Sequence, residues 1–133
     1  MPDDGLLTLP SAHSIDETIS RFEAALKAHS VTLFAKIDHA AGAADANMPL
    51  RPTVLLIFGN PQAGTPLMQA NQEIGIDLPL KALVWQDADG KVWLTYNDPA
   101  WLAARHQLGS AVDPVVAALG DALAALGEAA AIP

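Results

Sequence analysis

The sequence predicts one α+β domain, and three observations carry that prediction. Residues 53–58, TVLLIF, form a short β-branched apolar run between Pro52 and Gly59. Such a run reads as a strand buried on both faces, a pattern it shares with a buried helix segment. Residues 87–90, DADG, lie between two strand-like segments and make a hairpin signal, with Asp-Gly suited to positive φ. Other segments repeat apolar residues at helical spacing: Ile15, Ile19, Phe22 and Leu26 in one, Val115, Val116, Leu119, Leu123 and Leu126 in another.

Each element follows from local chemistry. Residues 5–9 are expected as a first strand that turns at Pro10. Ser14 and Glu17 form a capping box ahead of a helix that ends near His29 and Ser30. Arg21 and Lys27 fall on its solvated side. Residues 31–38 alternate, with Val31, Leu33, Ala35 and Ile37 on one face and Thr32, Phe34, Lys36 and Asp38 on the other. That is the pattern of a half-buried strand. Residues 39–49 are rich in alanine and suit a short helix, against which Gly42 counts. After the run at 53–58, Gly59-Asn60-Pro61 stops the chain and Thr65-Pro66 restarts it. Here Thr65 is expected to cap the free N–H groups of a helix, and Pro66 to take its first position, where no N–H is needed. Gly75 is expected to end that helix. Residues 80–86 form a strand and 91–96 return antiparallel to it, with Val92, Leu94 and Tyr96 on one face and Trp93 on the other. Asp98 caps and Pro99 opens the next helix, which ends at Leu108-Gly109. The last helix starts at Ser110 or Asp113.

Bulk properties bound the function. The chain has 133 residues, which suits one domain, expected over 5–127 with a frayed tail at 128–133. A chain of that size buries roughly two thirds of its unfolded surface. Apolar residues make up 51%, which argues against disorder. The net charge is −8, and the seven basic residues never cluster. A nucleic-acid site needs a basic patch, so nucleic acid is not an expected partner. There is no cysteine, which excludes a disulfide framework, thiolate catalysis and Cys-ligated zinc. No apolar run of about 18 residues stands out, so no membrane span is expected. The first five residues, MPDDG, lack the basic start and apolar stretch of a signal peptide. A cytoplasmic location is the expectation.

The candidate chemistry is sparse. Residues 59–65 spell G-x-x-x-x-G-T between a strand and a helix, the placement of a phosphate-binding loop. The lysine position holds Thr65 and the metal-binding hydroxyl position holds Pro66, so a nucleotide triphosphatase is not expected. What survives is a helix start whose free N–H groups favour an anion or a carbonyl oxygen, weighed against a plain strand-to-helix turn. Asp38 and His39 end a strand. A histidine there has a pKa suited to general-base work. Neighbours in a strand point to opposite faces, which favours a structural role. Asp77 and Lys81 flank a proline turn and can pair with each other or hold an anionic ligand, against the plainer reading of a surface ion pair. His13, His29, His39 and His106 sit on separate elements without metal-motif spacing, so no metal and no cofactor are expected. Trp85, Trp93 and Trp101 are read as core and interface anchors.

Several blocks together carry a resemblance. LRPTVLLIFGNPQAGTPLM, IDLPLKALVWQDADGKVWLTYNDP, the upstream FAKIDHAAGA and the opening SIDETISRFEAAL resemble the domain of unknown function 302 family. The resemblance runs over roughly residues 5–108. It implies a two-layer β-α-β(4)-α domain with a mostly antiparallel sheet, helices on one face and a TATA-binding-protein-like topology. It also implies a tendency to dimerise. It carries no catalytic residues. The segment Ala46-Asn47-Met48-Pro49 departs from relatives that look more helical and carry glycine there, which leaves residues 40–50 unassigned.

The expected function is a small homodimeric domain that binds a small molecule or a partner through residues 60–65 and their neighbours. Its candidate ligand-binding residues are Asp38, His39, Asn60, Thr65, Asp77 and Lys81. The rival is an enzyme using His39 with Asp38, Asn60 or Thr65, and a third reading is a purely structural interaction domain. A binder or enzyme requires a pocket that unites His39, Asn60 and Thr65; an interaction domain requires a flat apolar face.

Overall fold

The computed structural model describes residues 4–133, so most of the MPDDG opening lies outside the described residues. Five strands form one sheet: β1 (Leu6–Ser11), β2 (Thr32–Asp38), β3 (Thr53–Gly59), β4 (Leu80–Gln86) and β5 (Val92–Asn97). Their spatial order is β1-β5-β4-β3-β2, and every neighbouring pair is antiparallel. The helices are α1 (Ile15–Ala28), α2 (His39–Asp45), α3 (Pro61–Ala70), α4 (Pro99–Arg105) and α5 (Asp113–Ala131). Short 3₁₀ segments, Gln72–Asp77 and Ser110–Val112, follow α3 and precede α5. The order β1-α1-β2-β3-β4-β5-α5 is the β-α-β(4)-α arrangement, with α2, α3 and α4 inserted in its connections.

The strand period decides what is buried. Val54, Leu56 and Phe58 of β3, Ala82 and Val84 of β4, and Val92 and Leu94 of β5 alternate onto one face. Phe22 and Leu26 of α1 and Leu123, Leu126 and Ala130 of α5 join them in one core. Phe22 and Phe58 meet edge to face at 5.3 Å. A second cluster lies among the inserted helices: Leu67 of α3, Ile74, Leu102 of α4, Leu108, Val112, and Val116 and Leu119 of α5. The long helix α5 therefore serves both clusters.

Several expectations hold at the level of single bonds. Ser14 Oγ accepts from Glu17 N at 3.1 Å and starts α1. Asp98 accepts from Ala100 N at 3.0 Å and starts α4. Asp87 accepts from Asp89 N and Lys91 N, both at 2.9 Å, and closes the hairpin, with Gly90 at φ +83°. Gly5, at φ +74°, also lies so close to the Trp101 indole that a Cβ there would sit 2.3 Å from the ring.

Other expectations are corrected. Pro10 does not turn the chain: it lies inside β1, opposite Trp93. β1 is a sheet edge, where a missing N–H costs no ladder bond. The helix α3 starts at Pro61, capped by Asn60, and not at Pro66. Both dipeptides satisfy the cap-then-proline rule, and the chain uses the earlier one. It ends at Ala70, and Gly75 falls within the following 3₁₀ segment. The alternation of β2 breaks at a bulge between Leu33 and Ala35. Leu33 still faces the helices, but Ile37 pairs with Leu55 and turns to the other face, 41% exposed. Residues 39–45 are the helix α2, so the alanine-rich stretch is helical despite Gly42. The helix α4 ends at Arg105, earlier than Leu108-Gly109. Nor is the tail frayed at Glu128: α5 continues to Ala131, with Ala130 and Ala131 buried. Ala131 O accepts from Ala12 N at 2.8 Å. Finally, one segment, Ser110–Ala131, is long and apolar enough by length and composition to cross a membrane, contrary to expectation. In this fold its apolar stripe is packed against the sheet and the inserted helices.

Among the described residues the helices of the main core, α1 and α5, pack on one face of the sheet and leave the far face outside that core. Leu55, Ile57, Leu83, Trp85 and Trp93 alternate onto it, half-buried, beside Ile37. Trp85 and Trp93 stack with centroids 6.1 Å apart. Their indole N–H groups donate to Thr95 Oγ1 and Asp87 Oδ2, each at 2.9 Å. The Trp93 bond, with the backbone donors of the hairpin, holds the Asp87 carboxyl below its ordinary pKa against a partial desolvation.

Candidate functional site

A cavity of about 530 Å³ opens where α3 and α5 pass over one end of the sheet. Phe58 and Leu80 form its floor, Ala63 and Met68 of α3 one wall, and Leu119 and Leu123 of α5 the other. Its volume falls in the range of small-molecule sites, roughly 300–1,000 Å³. Small residues make the space. Gly59, Ala63, Gly64, Gly75, Ala118 and Ala122 all face it. A Cβ on Gly64 would meet nothing closer than Leu78 Cδ1 at 3.9 Å. Among the described lining residues Asn60 and Thr65 are the polar ones, and none is charged.

Asn60 sits where β3 ends and α3 begins. Its Oδ1 accepts from Gln62 N at 2.9 Å, and its backbone carbonyl accepts from Ala63 N at 2.9 Å and Gly64 N at 3.0 Å. Pro61 has no N–H to offer. The first turn of α3 thus has its N–H groups engaged, which fits the plain strand-to-helix turn against which the anion reading was weighed. Thr65 lies inside α3 and is exposed, so it caps nothing.

The other candidates stand elsewhere. Asp38 ends β2 and caps α2, its Oδ1 accepting from Ala41 N at 2.9 Å. His39 is the first residue of α2 and is exposed. Neither lines the cavity, so His39 is not brought together with Asn60 and Thr65. Lys81 does not pair with the Asp77 carboxylate. Its ammonium donates to the backbone carbonyls of Asp77, at 3.3 Å, and Pro79, at 3.1 Å. The Asp77 carboxylate instead accepts from Arg105 Nη1, at 2.9 and 3.1 Å, and meets His106 Nε2 at 2.5 Å. Asn71 Nδ2 donates to His106 O at 2.7 Å. These bonds clamp the Gln72–Asp77 segment to α4. Sequence reasoning missed the clamp because its halves are 28 and 29 positions apart, with no local spacing to signal them. No group of three or more metal-ligating side chains forms among the described residues.

Comparison with known proteins places the chain. Residues 7–126 match the family described as "Domain of unknown function DUF302", and the chain belongs to that family. It is similar to an uncharacterised conserved DUF302 protein from Bacillus stearothermophilus, whose crystal structure superposes with a TM-score of 0.84. That likeness covers 95% of this chain and 98% of the other at 23% identity, and shows the shared fold. The chain is also 54% identical over 117 residues to a Brucella suis protein named fluoride-specific ion channel FluC 1. A Brucella abortus protein of the same name matches at the same identity. The match covers 88% of this chain but 46% and 43% of those relatives, so the chain spans less than half their length.

Proposed function

We propose that this chain is a cytoplasmic, homodimeric small-molecule-binding domain whose ligand occupies the cavity between α3, α5 and the end of the sheet. The cavity carries the proposal: about 530 Å³ of apolar space with two polar residues in its lining. Ligand sites of this kind are mostly apolar with a few placed polar groups. The enzyme alternative draws no support from the arrangement, because the lining holds no acid, base or histidine among the described residues. Dimerisation draws support from the sheet face opposite α1 and α5, where Leu55, Leu83, Trp85 and Trp93 are only half-buried. A two-layer domain leaves that face to water or to a partner.

A thermal-shift screen with a library of small neutral and charged compounds tests the binding proposal. A ligand that binds the native state raises the melting temperature. At least one apolar compound is expected to do so for the parent and not for Ala122→Phe, which fills the cavity from α5. A shift that persists undiminished in Ala122→Phe overturns the assignment of the site. Sedimentation at micromolar concentration tests the dimer, and a clean monomer overturns it.

The Brucella relatives favour a second, compatible reading. In them a region like this chain belongs to a longer protein named as a fluoride-specific channel. We infer that the domain works beside a membrane channel and does not itself handle the ion. With a net charge of −8 and scattered cations, calorimetric titration with fluoride is expected to give no binding.

A further inference from the structure

We infer that the cavity takes an uncharged, largely hydrocarbon molecule bearing one hydrogen-bond acceptor, such as an ester or ketone, with that acceptor held by the Asn60 side-chain amide. The inference rests on the cavity being a binding site, and narrows what binds there.

Charge is excluded first. An ion moved into apolar surroundings without a partner pays several kcal/mol. The described lining offers no cation or anion to offset that. A carboxylate or phosphate would look to the start of α3, but Gln62 N, Ala63 N and Gly64 N already donate to Asn60. Lys81, two residues beyond Pro79 of the lining, has its ammonium on the carbonyls of Asp77 and Pro79. An incoming ammonium fares no better, because the lining offers no carboxylate to offset its desolvation.

That same bond fixes which way the Asn60 amide points. Oδ1 must face the Gln62 N–H, so the NH₂ group is turned away from it. Nδ2 donates to no described residue, and Asn60 lines the cavity. The group offered to a ligand is therefore a donor, and its complement is a neutral acceptor. Apart from the Thr65 hydroxyl, the remaining lining is hydrocarbon, from residues such as Phe58, Met68, Leu78, Leu119 and Leu123. The rest of the ligand should match it.

Calorimetric titration of the full chain with four compounds of equal chain length tests this: methyl decanoate, decanoate, decylamine and decane. Methyl decanoate is expected to bind tightest, at least about tenfold above decanoate and decylamine, the ratio that roughly 1.4 kcal/mol sets. It should exceed decane by about two- to tenfold, the worth of one net hydrogen bond. Asn60→Asp keeps the cap, since aspartate caps as well as asparagine, and removes the donor. It should leave the urea midpoint in place while bringing methyl decanoate down to the affinity of decane. Decanoate or decylamine binding as tightly as the ester overturns the ligand class. An ester advantage that survives in Asn60→Asp overturns the role of Asn60. If none of the four binds, decane included, the binding function itself fails and takes the inference with it.

Discussion

Asp38 and Asn60 flank β3 at opposite ends and make the same kind of bond. Asp38 lies across from Val54 at the start of the strand, and Asn60 follows Gly59 at its end. Each ends a strand, each caps a helix through a side-chain oxygen, and each cap is 2.9 Å long. They differ in what the capped helix covers. The helix α2 buries none of its residues, whereas α3 buries Leu67 and forms a wall of the cavity. A short polar residue at a strand-to-helix junction thus signals the junction, and only the packing beyond it makes a site.

The comparison can be broken by substitution, starting with the largest effect. Leu67→Ala, in the second cluster, is expected to cost about 2–5 kcal/mol, the range for a buried leucine, measured by urea unfolding. The helix α2 has no buried residue with which to produce such a loss. Next come the caps. Asn60→Ala should cost ~0.5–2 kcal/mol of global stability. Asp38→Ala removes the same bond from a helix that buries none of its residues, so its global midpoint should move by less than about 0.5 kcal/mol. Equal losses would make α2 as integral as α3. The smallest effect belongs to Thr65→Ala. Because Thr65 lies within α3 and caps nothing, its midpoint should stay within about 0.5 kcal/mol of the parent.

Much of this was legible in the sequence where the physics is local. Ser14, Asp98 and the DADG turn each act over a few residues, and each does in the fold what its chemistry requires. The family blocks carried the overall arrangement. Where two local solutions competed, locality was not enough: Asn60-Pro61 and Thr65-Pro66 obey the same rule, and the position of β3 selects the first. The bulge at Phe34 was hidden because register is a property of the β2–β3 pair. The loop at 60–65 was marked as a candidate site, yet the opposite wall of the cavity, Ala118 to Leu126, comes from a distant helix that alone reads as core. His39 was marked for its chemistry and lies outside the cavity, since a titratable side chain in sequence carries no information about what surrounds it.

The central claim is that the α3 end of the sheet binds a small apolar molecule and the α2 end does not. An amide-resolved NMR titration with methyl decanoate tests it most directly. The account predicts shifts at Gly59, Asn60, Gly64, Leu78, Leu119 and Leu123, with residues 38–45 unmoved. Shifts centred on His39 and α2, or none at the cavity at saturating ligand, would contradict it.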